Sequence, residues 1–253
     1  MIKGVLLDLS GVVYIGDHLI KGALRAIQKL HANHIPIRFI TNTTRSTRSA
    51  ISAKLSSMNL AIPKDQLFTA PIAAKNYIKD NKLNPYLLIH PNLLPDFSEI
   101  PAQDFDSVLL GDAGSSFTYE SLNSAFRILL TGKPLIAMGK NRYFKEADGF
   151  SLDAGAFVHA LEMASGINAI VLGKPAKEFF LQAIKDFNCS PKEVVMVGDD
   201  VEADVNGALS AGLQSILVQT GKYRISDDQL IQNSSARIAS NISVAVDLIL
   251  NEH

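Results

Sequence analysis

The stretch Val5-Leu6-Leu7-Asp8-Leu9-Ser10-Gly11 decides the fold. Three consecutive apolar residues suit a strand covered on both faces, because a strand with one wet face would alternate. The run then stops at aspartate, serine and glycine, residue types that turn the chain and cap a following helix. The same pattern predicts strands over residues 5–10, 35–41, 86–90, 107–111, 134–139, 169–173, 194–198 and 214–218. Between them, apolar residues at helical spacing predict covering helices: Leu24, Ile27 and Leu30; Ile51, Leu55 and Met58; Phe179, Ala183 and Phe187; Val205 and Leu209; Val244, Leu248 and Ile249. Pro71 suits the first turn of a further helix, and Gly212 a carboxyl-terminal cap. Strands alternating with helices define an α/β chain built on a doubly wound parallel sheet.

Composition narrows the rest. The 253 residues carry 24 Lys and Arg against 25 Asp and Glu, a net charge of -1, so no general attraction to nucleic acid or anionic lipid is expected. With 47% hydrophobic and 19% charged residues the chain is not of the disordered class. A lone Cys189 cannot form an internal disulfide, which suits a reducing, cytoplasmic compartment. The amino-terminal apolar run is interrupted by Asp8, and no uncharged stretch reaches the ~18 residues of a membrane span. Turn residues at DNKLNP (80–85) and ASGIN (164–168) predict a discontinuous catalytic core, residues 1–80 and 168–253, with an inserted α/β cap domain over residues 81–167.

In an open parallel sheet, ligands bind beyond the carboxyl ends of the strands. Four predicted strands end in reactive types: Asp8-Leu9-Ser10-Gly11, Thr41-Asn42, Gly173-Lys174-Pro175, and Gly198-Asp199-Asp200 with Asp204 beyond. Each alone is also what a helix cap or a solvated loop lysine looks like. Facing one crevice, they would gather three or four carboxylates and a lysine, and such carboxylates repel unless a hard cation such as Mg²⁺ joins them. A lysine, a hydroxyl and backbone amides beside that cation make a site for a phosphoryl group.

DLSGV at Asp8, Thr41-Asn42, Lys174 in GKP, and GDDVEAD from Gly198 to Asp204 follow the order and spacing of the four motifs of the haloacid dehalogenase (HAD) superfamily, which the chain resembles over essentially its whole length. The long insertion between the second and third motifs resembles the NagD-like branch with a large α/β cap. DLSGVVY, RFITNTT, GKNRYFKEADG, LGKPAKEFF, VMVGDD and VQTGKYR are similar to members acting on pyrophosphate, phosphohistidine and phospholysine. The resemblance implies that Asp8 is a nucleophile forming an aspartyl-phosphate that water hydrolyses. It implies Mg²⁺ between Asp8, the Ser10 backbone carbonyl and Asp199. Thr41, Lys174 and backbone amides near Gly11 and Asn42 would hold phosphoryl oxygens. Asp204 would orient Lys174 or a water of the metal, and Asp200 is either a supporting residue around the metal or the cap of the next helix. Arg45, just after the second motif, would contact substrate.

Ser10 departs from the superfamily's usual second aspartate, two residues after the nucleophile. Serine cannot supply a proton near neutral pH, and the missing acid removes a factor of about 10² to 10⁴ from reactions that need one. Imidazole, with a conjugate-acid pKa of about 6.5, leaves without that help. The expected substrate is therefore a small molecule or a phosphorylated His or Lys carrying a P–N or anhydride bond. Two other readings stay open: a catalytically weak protein that binds or senses Mg²⁺ and phosphate, and a phosphonate-cleaving or phosphotransferase relative using a cap lysine such as Lys140 or Lys145. Lys140, Arg142 and Lys145 beside Tyr143 and Phe144 form a basic cluster that is either a substrate contact or a solvated loop. Relatives with this cap often pair through it, which implies a homodimer.

Overall fold

The computed structural model describes residues 1–145, 149–232 and 236–251. Contacts divide the chain into two units: Met1–Thr41, Arg48–Phe68 and Lys174–His253, and Asn42–Thr47 with Thr69–Gly173.

The first unit carries a six-stranded sheet in the spatial order Arg237–Ala239, Gln214–Val218, Val194–Gly198, Gly4–Asp8, Ile37–Thr41, Leu67–Thr69. Gly4–Asp8 is parallel to both its neighbours, and Val194–Gly198 to Gln214–Val218. All five residues of Gly4–Asp8 and of Val194–Gly198 are buried, which explains their unbroken apolar sequences. The chain runs outward from Gly4–Asp8 in one direction and later resumes on its other side, so the order of winding reverses between Gly4–Asp8 and Val194–Gly198. Their register pairs Leu7 with Val197, which brings Asp8 and Asp199 to the same carboxyl edge. One face of the sheet packs Leu7, Phe39, Val195 and Val197 against Ile27 and Leu30 of helix Ala23–Ala32 and Ile242, Val246 and Ile249 of helix Ile242–Leu250.

The second unit holds a four-stranded sheet in the order Ile170–Val171, Leu135–Ala137, Ser107–Leu110, Pro85–Leu88, with parallel pairings throughout. Its core gathers Val108, Leu110, Leu135 and Ala137 with Ala125 and Leu129 of helix Tyr119–Leu129 and Val158 and Leu161 of helix Ala154–Ser165. Thr118 and Asp153 cap these two helices with their side chains.

Several expectations need correction. The division falls at Thr69 and Gly173, whereas the turn residues pointed to 81 and 167. Helix Ala70–Asp80 is tied into the second unit by Lys75 Nζ, 2.9 Å from the Asp96 carbonyl and 2.9 Å from Glu99. Strand Ile170–Val171 joins that unit's sheet beside Leu135–Ala137. Leu24 and Val244 are exposed, because the buried stripes of their helices run through Ala23, Ala26, Ile27 and Leu30 and through Ile242, Ala245, Val246 and Ile249. The segment around Lys140–Lys145 contributes an antiparallel strand pair, Tyr143–Lys145 with Phe150–Leu152. The Lys145 side chain and residues 146–148 lie outside the described residues. Among the described residues no helix is long and apolar enough to cross a membrane.

Candidate active site

Asp8 ends the Gly4–Asp8 strand and Asp199 follows the adjacent Val194–Gly198 strand. Lys174 comes from the segment after Gly173, and Asp204 from a turn of π-helix, Val201–Asn206. That wide turn forms because Asp200 receives backbone bonds from both Asp204 (2.9 Å) and Val205 (3.3 Å). It rolls Asp204 back over Gly198, where any Cβ would collide with the Asp204 side chain. Such turns are frequent at functional sites.

Four charged groups are thereby buried together: Asp8, Lys174, Asp199 and Asp204, none more than 6% exposed. Lys174 Nζ donates to Asp8 Oδ1 at 2.6 Å and to Asp204 Oδ1 at 2.5 Å. Burial alone would discharge this lysine, but the Asp204 and Asp8 carboxylates more than reverse that and hold it protonated. Carboxylate oxygens of Asp8, Asp199 and Asp204 all lie within 4.8 Å of one another. Burial, then the neighbouring Asp8 charge, pushes Asp199 up to about 6, while burial and the charges of Asp8 and Asp199 push Asp204 up against the pull of Lys174. Three carboxylates facing one ammonium leave an excess of buried negative charge, and an all-oxygen donor set suits a hard divalent cation. The group fits such an ion.

Asp200 acts as a helix cap. Its Oδ1 accepts from Glu202 N (3.1 Å) and Ala203 N (2.9 Å), and Lys222 Nζ reaches its Oδ2 at 3.1 Å. Burial raises the Asp200 carboxyl, but the Ala203 amide and the Lys222 ammonium outweigh it and hold Asp200 below the usual carboxylate range. Ser10 is exposed beyond the Asp8 strand. The Gly11 amide, expected to meet a phosphoryl oxygen, donates to the Tyr14 carbonyl at 2.7 Å. Gly11 matters for another reason: at φ 87° it lies where a Cβ would strike Asp199 Oδ2. Thr41 closes the Ile37–Thr41 strand of the same sheet.

Asn42 and Arg45 belong to the second unit. The Arg45 Nε donates to buried Asp112 Oδ2 at 2.5 Å, and its guanidinium lies 4.5 Å from the centre of the Phe144 ring. Arg45 thus pairs with Asp112, a carboxylate just beyond strand Ser107–Leu110 that sequence reasoning passed over. Lys140 pairs with Glu162 at 2.8 Å. The loop Thr220-Gly221-Lys222 was also missed as chemistry, although it follows a predicted strand, Gln214–Val218, at the edge where ligands bind.

A doubly wound sheet with buried carboxylates and a lysine at its switch point defines an α/β enzyme that works from the strands' carboxyl edge. Residues 5–99 match the family described as Haloacid dehalogenase-like hydrolase, and residues 171–245 a HAD-hydrolase-like family. The chain is 42% identical over 249 residues to Haloacid dehalogenase-like hydrolase domain-containing protein 2 of Mus musculus, covering 98% of this chain and 96% of that protein. It is 40% identical over 256 residues to the phospholysine phosphohistidine inorganic pyrophosphate phosphatase of Xenopus laevis, covering 98% and 95%. The crystal structure of 4-nitrophenylphosphatase from Thermotoga maritima superposes with a TM-score of 0.89 at 26% identity, over 97% of each chain. The chain belongs to the haloacid dehalogenase-like hydrolase family.

Proposed function

We propose that this hydrolase is a Mg²⁺-dependent phosphatase that forms an aspartyl-phosphate on Asp8 and favours P–N and anhydride substrates: pyrophosphate, phosphohistidine or phospholysine. The observation that carries the reading is the convergence of Asp8, Asp199 and Asp204 around the Lys174 ammonium at one sheet edge. The phosphatase names of relatives covering nearly all of the chain support it.

In this reading Asp8, Asp199 and the Ser10 carbonyl would hold Mg²⁺, with Asp204 alongside. When bound, the ion supplies positive charge beside the nucleophile and the phosphoryl oxygens. An Asp8 carboxylate oxygen forms the new P–O bond while the bond to the leaving group breaks, the leaving group keeping that electron pair. Water then adds at phosphorus, releases phosphate and restores the carboxylate. Lys174, held between Asp8 and Asp204, fixes the nucleophile's orientation and neutralises charge that accumulates during transfer. Ser10 offers a hydroxyl where a proton donor would be needed for an alkoxide, so the preferred leaving groups need no proton from the enzyme: phosphate, which departs as a stable anion, and imidazole or amine nitrogen, which takes its proton from solvent before the P–N bond breaks.

The test compares phosphate release from pyrophosphate, a phosphohistidine peptide and glycerol phosphate, with Mg²⁺ and with chelator, using Asp8→Asn as control. Turnover of the first two should exceed that of glycerol phosphate by about 10² or more. Equal rates on all three, or full activity in Asp8→Asn, would overturn the reading.

A further inference from the structure

We infer that the loop Thr220-Gly221-Lys222 is a positioning device that leaves Asp199 only one oxygen for a cation and so selects Mg²⁺ over Ca²⁺. The inference rests on the metal reading of the preceding section and assigns a role to residues outside it.

Asp199 Oδ2 is enclosed. The Lys222 backbone N–H donates to it at 2.7 Å. Gly11 and Gly221, at φ 87° and 62°, flank the same atom so closely that a Cβ on either would overlap it, and the two glycine backbones also abut each other. The Thr220 hydroxyl pins this arrangement by donating to the Gly11 carbonyl at 2.5 Å. Lys222 Nζ adds a second tie, 3.1 Å from Asp200 Oδ2, and Asp200 in turn caps the turn that carries Asp204. Two loops from opposite sides of the winding reversal therefore grip one carboxylate oxygen.

The chemical consequence follows from the two ions. Ca²⁺ takes 6–8 oxygens at about 2.3–2.6 Å and readily accepts both oxygens of a carboxylate, whereas Mg²⁺ takes single oxygens in a near-ideal octahedron at about 2.0–2.1 Å. A carboxylate with Oδ2 boxed in by an amide and two glycine backbones presents Oδ1 alone, which suits the smaller ion. The glycines are what make the box possible, and the threonine hydroxyl is what keeps it shut.

The test uses the full chain stripped of metal and titrated calorimetrically with MgCl₂ and with CaCl₂, in wild type, Thr220→Val and Thr220→Ser. Thr220→Val should lose about tenfold or more in Mg²⁺ affinity, the usual effect of removing a group that orients a metal ligand, and should lose less for Ca²⁺, so the preference narrows. Thr220→Ser keeps the hydroxyl and should behave as wild type. In wild type the Lys222 amide resonance should move on addition of Mg²⁺, a readout that needs no variant and decides the matter if Thr220→Val does not fold. Unchanged affinities in Thr220→Val, or a Lys222 amide indifferent to Mg²⁺, would overturn the positioning role while leaving the metal reading standing. A wild type that binds neither ion would overturn both.

Discussion

In the metal-free protein, replacing Asp199 by Asn should stabilise the fold at neutral pH. Asp199 is 2% exposed, and burial and the Asp8 charge raise its carboxyl to about 6 from 3.8. A folded-state pKa above the unfolded value means that the native state holds the extra proton, so the associated stability is present below about pH 4 and is lost as pH climbs through about 6. The raised value corresponds to about 3 kcal/mol at pH 7.5, at 1.36 kcal/mol for each pKa unit. Asparagine keeps an oxygen for the Lys222 amide and removes the charge, so the variant escapes that loss. The two proteins should therefore have equal stability near pH 4 and diverge up to pH 7.5, where Asp199→Asn melts higher by roughly 6–12 °C, at about 2–4 °C per kcal/mol for a chain of this size. Mg²⁺ at about 1,000 times Kd should reverse the order, since binding then adds about 4.1 kcal/mol to wild type alone. Thermal melts in chelator and in MgCl₂ across this pH range give the answer. A metal-free Asp199→Asn that is less stable than wild type at pH 7.5 would refute the electrostatic reasoning.

Lys174→Met should act in the opposite sense, costing about 3–5 kcal/mol in urea unfolding at pH 7.5, because it strands the Asp8 and Asp204 carboxylates without their buried partner. Gly11→Ala combines a positive φ with a collision against Asp199 and should lose about 2 kcal/mol or more, with a matching fall in melting temperature; a neutral effect would mean the turn has room to shift. Ser10→Asp restores a carboxyl on an exposed residue and should raise glycerol phosphate hydrolysis about 10²-fold in a phosphate-release assay while changing pyrophosphate turnover little.

The sheet was legible where strands are long and buried on both faces. Val194–Gly198 and Gln214–Val218 have the bounds their apolar runs predict. Leu67–Thr69 and Arg237–Ala239 were not, because three residues carry no periodicity and Ile238 faces outward. The meeting of Asp8, Lys174, Asp199 and Asp204 follows from the sequence only in two steps: a doubly wound sheet brings strand ends to one edge, and the resemblance to the four haloacid dehalogenase motifs says which of those residues share a site. Gly11 and Gly221 could not be assigned their part from sequence: the need for a missing Cβ arises only when two loops close on one carboxylate. Arg45 shows what spacing along the chain hides: a cation just after the second motif suggests an anionic ligand, and the structure adds a buried carboxylate beside it, Asp112, 67 positions further along the chain.

The pairing of Gly4 with Val194 has a consequence for biosynthesis. The innermost strand of the larger sheet leaves the ribosome before the other strands of that sheet, yet one of its two neighbours is not made until some 190 residues later. At about 5–20 residues per second the nascent chain waits roughly 10–40 s for that partner. The second unit, mostly contiguous in sequence, reaches its full complement of strands earlier. During the interval the greasy amino-terminal segment is the natural client for a chaperone, and slowing elongation before residue 194 would lengthen its exposure.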